Sequence, residues 1–155
     1  NSVETIGGGK MIRFRLNELE IEYTGHPGLT LMEYLRSIEL FSVKYGCDTG
    51  SCGSCSVLVD NNVYNSCMIL VESLHGKLIE TLEYLDKKGE IDELKESFLD
   101  KGAIQCGYCS PGMLISLVAL FRINNQPDES EIRDTLAGNL CRCTGYVKPV
   151  EAAQL

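Results

Sequence analysis

The sequence is poor in positive charge and has no long apolar segment. Its 155 residues include 14 Lys and Arg against 22 Asp and Glu, which gives a formal net charge of -8. This balance repels phosphate backbones and anionic bilayers, and no stretch reaches the roughly 18 apolar residues of a membrane helix. We therefore expect neither nucleic acid nor a membrane as a partner. We expect a cytoplasmic location, although a sequence that begins with Asn1 leaves a removed leader peptide open.

The signatures of substrate chemistry are missing as well. No Rossmann glycine fingerprint, Walker loop or Gly-x-Ser-x-Gly nucleophile elbow occurs. The sequence has two histidines, His26 and His75, and neither stands at ligand spacing from a pair of cysteines. We interpret them as a turn residue and a surface residue. These absences predict that the chain has no catalytic residue of its own and works as a subunit.

Cysteine, in contrast, is abundant and clustered. The eight cysteines form two groups of four. The first cysteine set has the spacing Cys-x4-Cys-x2-Cys-x11-Cys and consists of Cys47, Cys52, Cys55 and Cys67. The second cysteine set is made of two distant pairs, Cys106 with Cys109 and Cys141 with Cys143. The first spacing is typical of plant-type [2Fe-2S] clusters, and two four-thiolate sites would use every thiol in the chain.

Small residues surround the first three cysteines, in the stretch GCDTGSCGSC at 46–55. An iron–sulfur cluster with four thiolates is an anion, so it needs hydrogen-bond donors. Gly46, Gly50 and Gly53 let successive backbone N–H groups turn toward the sulfurs, each charged hydrogen bond contributing about 1.5–3 kcal/mol. In the second set, Pro111 follows Cys109 closely and opens a helix whose positive end points at the thiolates.

Other uses of the thiols fit less well. A disulfide across Cys141-x-Cys143 or Cys52-x2-Cys55 would be strained, and cytosolic thiols stay reduced. A [4Fe-4S] ferredoxin would show Cys-x2-Cys-x2-Cys, and a Rieske centre would need histidine ligands. Two structural zinc sites of four thiolates each stay open as an alternative, although zinc modules usually bring two Cys-x2-Cys pairs and each half of this chain has one.

Alternating apolar and polar residues predict strands in the first half of the chain. Residues 12–16 and 19–23 predict a hairpin with one buried face. Thr30, with Glu33 three residues later, forms a capping box that opens a short amphipathic helix. The stretch at 46–55, which carries the first three cysteines, is predicted to be a loop and is called the cysteine loop below. After it, the sequence predicts two strands around the turn at 60–62, the second of which carries Cys67, and a last strand at 76–82.

Helical patterns dominate the second half. The densely charged residues 83–101 predict a linker running into a surface helix. Pro111 opens a nearly all-apolar helix that extends to Ile123 and should be buried. Two further helices are predicted at 128–136 and from near Pro149. The fold class is therefore α+β, with a flexible tail at 1–10, a mostly strand domain at 11–84 and an all-α domain at 85–155.

The stretches GCDTGSCGSC, QCGYCSPGM at 105–113 and GNLCRCTGY at 138–146 resemble those of the small iron–sulfur subunits of the molybdenum hydroxylases. That family includes xanthine dehydrogenase and aldehyde oxidoreductase, and the resemblance runs from about residue 11 to the end. It implies a β-grasp, plant-ferredoxin-like domain followed by a four-helix bundle, each with one [2Fe-2S] cluster. The implied metal ligands are Cys47, Cys52, Cys55, Cys67, Cys106, Cys109, Cys141 and Cys143.

The same resemblance implies an electron-transfer subunit. A large partner subunit would bind molybdopterin and molybdenum, and electrons would pass through the bundle cluster and the ferredoxin-like cluster to FAD on a further subunit. Gln105 and Cys143 match positions that the family places beside the pterin, with an internal bundle role as the alternative for Gln105. The implied assembly is a dimer of heterotrimers. A free-standing two-cluster redox shuttle and a structural two-zinc adaptor are the alternative functions.

Overall fold

The strands lie in the first half of the chain and most of the helices follow in the second, as seen in a computed structural model that describes residues 11–155. The expected tail at 1–10 lies outside the described residues. Within the described part there are five strands: Ile12–Leu16 (β1), Leu19–Tyr23 (β2), Ser56–Val59 (β3), Asn62–Asn65 (β4) and Leu78–Glu80 (β5). The same part has six α-helices: Leu31–Ser37 (α1), Leu82–Lys87 (α2), Asp92–Asp100 (α3), Ser110–Ile123 (α4), Glu129–Leu136 (α5) and Val147–Ala153 (α6).

One mixed sheet joins the five strands in the order β2-β1-β5-β3-β4. The predicted hairpin is present, with β1 and β2 antiparallel and Phe14 opposite Ile21. β5 runs parallel to β1 and antiparallel to β3, and β4 closes the other edge. On β1 the apolar residues are buried and the arginines between them are exposed, because one face of the sheet packs under α1.

The capping box of α1 is confirmed. The Thr30 hydroxyl accepts a hydrogen bond from the backbone N–H of Glu33 at 3.2 Å, and the Glu33 carboxylate accepts from the backbone N–H of Thr30 at 2.9 Å. The helix then buries Leu31 and Leu35 against the sheet. A second capping box, between Asp128 and Glu131, opens α5. Both helices therefore start at positions fixed by local sequence.

The predicted apolar helix is α4, and it is the centre of the helical half. It begins at Ser110, and it buries side chains on all sides, including Met113 and Leu117, because α5 packs on one side and β3 on another. No helix within residues 11–155 is long and apolar enough to cross a membrane.

Strand β3 is buried on both faces. Val57 and Val59 point into the core between the sheet and α1, whereas Leu58 between them belongs to the core around α4. All four residues of β3 are buried. Strand β3 thus contributes side chains to both hydrophobic cores. This also explains why apolar and polar residues do not alternate in the run at 57–59.

Two segments differ from the sequence prediction. Cys67 lies in the 3₁₀ turn Ser66–Met68 and not on a strand, because β4 ends at Asn65 and the backbone N–H of Ile69 donates to the carbonyl oxygen of Ser66 at 3.4 Å, which closes the turn. The charged segment 83–101 holds two short helices, α2 and α3, where a linker and one helix were predicted. The linker interpretation was wrong because Leu85 is completely buried in the helical core.

An ion-pair cluster ties the sheet to the helical half on one side of the molecule. Arg122 near the end of α4 donates to both oxygens of Glu80 on β5, at 2.7 and 3.1 Å, and to both oxygens of Glu90, at 2.6 and 2.9 Å. It also donates to Asn61 in the β3–β4 turn. Only 7% of the Glu80 side chain is exposed, so this contact is largely shielded from water. The hydrogen bonds that Glu90 accepts from Arg122 hold the pKa of the Glu90 carboxyl below the ordinary value of a glutamate.

At the other end of α4 from Arg122, the cysteine loop touches the helical half through glycines. A Cβ atom added to Gly112 in α4 would lie 2.2 Å from the carbonyl oxygen of Gly53. A Cβ atom added to Gly53, whose φ is +67°, would lie 2.3 Å from the carbonyl oxygen of Gly138. Both distances are far shorter than a van der Waals contact. The close approach of the two halves therefore needs glycine at 53 and at 112.

Replacing Gly112 by alanine should force the cysteine loop and α4 apart. The added Cβ atom would meet the backbone carbonyl of Gly53, which cannot rotate away as a side chain could. We therefore expect a loss of about 1–3 kcal/mol of stability, measurable as a lower midpoint of thermal unfolding. Gly138→Ala is the matched control, since its added Cβ meets no atom within 4 Å. Equal midpoints for the two variants would contradict the packing described for Gly112.

Candidate metal centres

The first cysteine set is assembled by a loop and a turn at one end of the sheet. Cys47, Cys52 and Cys55 lie on the segment between α1 and β3, and Cys67 comes from the 3₁₀ turn after β4. Cys52 and Cys55 are buried, and the other two are half-buried. The two hydrogen bonds from Ser66 to the Cys55 carbonyl hold the turn against the loop, so the fourth cysteine reaches the other three.

The loop directs backbone N–H groups at a sulfur. The thiol of Cys47 accepts hydrogen bonds from the backbone N–H groups of Thr49, Cys52 and Ser51, and it contacts the thiol of Cys52. The largest effect is the hydrogen bond from Thr49, and together they lower the pKa of Cys47 to about 6. Gly50, with φ +71°, lets the chain turn within this stretch. The donors that the small residues predict are therefore in place.

Burial and crowding act in the other direction at Cys67. Burial, followed by the nearby thiol of Cys55, raises the pKa of Cys67 to about 12. Without a cation nearby, the Cys67 thiol therefore keeps its proton at neutral pH. Ligation of a metal removes this penalty, because the metal replaces the proton.

The second cysteine set lies where two loops meet at the start of α4. Cys106 and Cys109 precede the helix, with Cys109 at its N-cap position, and Cys141 and Cys143 lie between α5 and α6. The sulfur atoms of Cys106 and Cys143 are 3.6 Å apart. The thiols of Cys109 and Cys141 are in hydrogen-bond contact. Pairs that are distant in sequence are thus adjacent in space.

In the second set, Cys109 contacts Cys141 and Cys106 contacts Cys143. In each of these contacting pairs one pKa is raised and the other is lowered. Burial raises the pKa of Cys109 to about 12. Burial also acts to raise the pKa of Cys141, but hydrogen bonds from the hydroxyl and the backbone N–H of Thr144, with sulfur distances of 3.0 and 3.5 Å, outweigh it and lower the value. The backbone N–H of Tyr108 and the thiol of Cys143 lower the pKa of Cys106. Its contact with Cys106 raises the pKa of Cys143.

The pairing of the sulfurs can be compared with the geometry of a metal group. Two thiolates on one tetrahedral metal, each about 2.3 Å from it, lie about 3.8 Å apart, close to the distance between Cys106 and Cys143. Among residues 11–155 no three His, Cys, Asp or Glu side chains converge on one point as a single metal ion would require. Sulfurs in pairs at this distance fit a [2Fe-2S] cluster, in which each iron takes two thiolates.

The two sites lie next to each other. One cavity of ≈ 580 Å³ is lined by Cys52 of the first set together with Cys106, Cys109 and Cys141 of the second. The backbone N–H of Leu140 donates to the carbonyl oxygen of Cys52 at 2.8 Å. Cysteines of both sets therefore face one space between the two halves.

The exposed edge of the second site carries the two residues expected near a pterin. Gln105 and Cys143 are both exposed, and Gln105 directly precedes the exposed Cys106. Exposure of Gln105 is against the alternative that it is an internal residue of the helical half. The two histidines lie in the turn and surface positions expected of them: His26 accepts a hydrogen bond from the backbone of Gly28, and His75 accepts one from the backbone of Arg13.

Sequence reasoning missed three residues that connect the sites. The Asn139 amide group donates to the carbonyl oxygen of Gly53 at 3.1 Å, and Leu140 donates to Cys52 as described. The hydroxyl of Tyr108 donates to the carbonyl oxygen of Tyr45. These contacts span 86 residues in the case of Asn139 and 63 in the case of Tyr108, so no local pattern could indicate them.

Comparison with known proteins agrees with this geometry. Residues 14–80 match the family model for a 2Fe-2S iron-sulfur cluster binding domain, and residues 81–154 match that for a [2Fe-2S] binding domain. The chain is 41% identical over 151 residues to the xanthine dehydrogenase iron-sulfur-binding subunit of Escherichia coli O157:H7, covering 94% of this chain and 91% of the relative. It is 39% identical over 138 residues to the nicotinate dehydrogenase small FeS subunit of Eubacterium barkeri, covering 88% of each chain.

Solved structures give the same result. Quinoline 2-oxidoreductase from Pseudomonas putida 86 contains a chain that is 35% identical and superposes with a TM-score of 0.86, covering 94% of this chain and 90% of that one. The aldehyde oxidoreductase from Desulfovibrio desulfuricans ATCC 27774 is 34% identical with a TM-score of 0.85, and there the match covers 16% of the longer chain. The chain belongs to the small [2Fe-2S] iron–sulfur subunits of the molybdenum hydroxylases, and it is an electron-transfer subunit of an oxidoreductase complex.

Proposed function

We propose that this chain carries electrons from a molybdopterin-bound molybdenum centre on a large partner subunit to FAD, or another acceptor, on a further subunit. A bound [2Fe-2S] cluster supplies reversible one-electron transfer. The observation that carries the proposal is the arrangement of all eight thiols in two neighbouring four-cysteine sites, which leaves no cysteine for other chemistry.

The proposed ligands follow from the sulfur pairs. In the first site, Cys47 and Cys52 would hold one iron, and Cys55 and Cys67 the other. In the second site, Cys106 with Cys143 and Cys109 with Cys141 would do the same. The contacts between these thiols support the assignment. The surrounding N–H groups and the Thr144 hydroxyl would donate to the thiolates and stabilise their negative charge.

Exposure and the family support one direction of transfer. Gln105 and Cys143 lie on the exposed edge of the second site, and we propose that this edge meets the pterin on the large subunit. The first site then passes electrons on toward the flavin. We further propose that residues 11–84 form the β-grasp domain and residues 85–155 the four-helix bundle. The complex would be a dimer of heterotrimers in the cytoplasm.

Metal analysis separates this function from the two-zinc adaptor. We expect the purified chain to be brown and to contain about four iron and about four acid-labile sulfide per chain, since each [2Fe-2S] cluster uses four cysteines. Iron and zinc are measured by mass spectrometry, and sulfide by colorimetry. A colourless protein with zinc in place of iron would overturn the proposal.

Single ligand substitutions should remove one cluster at a time. In Cys141→Ser we expect loss of the second cluster's electron paramagnetic resonance signal and loosening of the helical half, because the buried thiol of Cys109 loses its partner. Cys67→Ser is the reciprocal variant, and it should lose the signal of the first cluster alone. Iron content should fall by about half in each. Two intact signals in either variant would contradict the ligand assignment.

Copurification distinguishes the complex from a free-standing shuttle. When the tagged chain is isolated from cells that express its natural neighbours, we expect larger chains in stable association, one with molybdenum and one with FAD. Native mass spectrometry and cofactor analysis give the composition. A monomer that brings no larger chain with it would favour the shuttle.

A further inference from the structure

A short segment of the helical half is fastened to the first cysteine loop by two hydrogen bonds. The amide nitrogen of Asn139 donates to the carbonyl oxygen of Gly53 at 3.1 Å. The next residue, Leu140, donates its backbone N–H to the carbonyl oxygen of Cys52 at 2.8 Å. The residue after that is Cys141 of the second set. The contact therefore joins a residue adjacent to one cysteine set with a cysteine of the other.

The side chain of Asn139 has a fixed orientation. It is 2% exposed, and its oxygen accepts a hydrogen bond at 2.8 Å from the hydroxyl of Ser116, which is itself buried in α4. With the oxygen turned to Ser116, the amide nitrogen must face Gly53. The approach leaves no slack, because any Cβ atom at Gly53 would lie 2.5 Å from that nitrogen. Asn139 thus fixes the position of its own backbone on the loop.

The consequence is a continuous path between two sulfur atoms. From the sulfur of Cys141 the path follows the backbone to the N–H of Leu140, crosses the hydrogen bond to the carbonyl of Cys52, and ends at the sulfur of Cys52. Electronic coupling decays more slowly along covalent and hydrogen bonds than through an empty gap. The Tyr108 contact gives a longer path, because it runs through an exposed side chain and reaches a carbonyl two residues before Cys47.

We propose that Asn139 is a positioning residue for electron transfer, which holds the N–H of Leu140 on the Cys52 carbonyl and so joins Cys141 to Cys52. The inference rests on the proposed function, in which these cysteines bind the two clusters. In the step concerned, one electron leaves the second site, which is oxidised, and enters the first site, which is reduced. No covalent bond is made or broken and no proton moves.

The test uses the full chain with both clusters bound and fully reduced. The magnetic interaction between the clusters splits their electron paramagnetic resonance signals. Spectra at two microwave frequencies identify this splitting by its independence of the field, and its isotropic component gives the through-bond part while its anisotropic component gives the dipolar part. In Asn139→Ala we expect a several-fold loss of the through-bond part with unchanged cluster content. Deuterium uptake at the peptide that contains Leu140 should be about tenfold faster, because the hydrogen bonds that fasten it are weakened.

Two further variants complete the design. Asn139→Asp keeps the acceptor for Ser116 but removes the donor to Gly53, so it should reduce the through-bond part in the same way. Arg122→Lys is the matched control, because Arg122 also joins the halves but lies away from both cysteine sets. It should lower stability and leave the through-bond part unchanged.

The outcomes separate this inference from the function on which it rests. A wild-type chain without iron would overturn the proposed function. A wild-type chain with two clusters, together with Asn139 variants that keep the full through-bond part, would overturn the role of Asn139 alone. An equal loss in Arg122→Lys would also overturn it, since any loosening of the halves would then suffice. Loss of the clusters in both Asn139 variants would also overturn the positioning role, because Asn139 would then be needed for the site to fold and bind its cluster.

Discussion

The crowding of four thiol groups into each of two small sites is the constraint on which the rest of the structure depends. Thiolates repel one another, and burial makes them costlier still, as the pKa values of about 12 at Cys67 and Cys109 show. The protein offsets part of this cost with peptide N–H groups, hydroxyls and a helix N-terminus, which stabilise negative charge without adding bulk.

This choice of donors shapes the backbone. A loop that turns its N–H groups inward must contain glycines, and the same glycines let the loop lie directly on α4. Gly53 serves both purposes, since its positive φ belongs to the loop and its missing side chain admits Gly138 and Asn139. The features that stabilise the sulfurs and those that bring the two sites together are therefore the same short stretch of chain.

The parts of the fold that local sequence controls were predictable. The β1–β2 hairpin, the capping box at Thr30 and the buried helix α4 depend on residues within a few positions of each other, and each is present. The position of Cys67 could not be predicted, because the turn that carries it is held by hydrogen bonds from Ser66 to Cys55, eleven positions earlier. The membership of each cysteine set could be predicted from spacing. Which sulfur contacts which could not, since Cys106 and Cys143 are 37 residues apart.

Strand β3 has a consequence for how the molecule moves. Because Leu58 belongs to one hydrophobic core and its two neighbours to the other, neither half can melt or swing away without exposing apolar side chains of the remaining half. The chain should behave as a single cooperative unit with no hinge in its middle. The two cysteine sets should then keep a fixed separation.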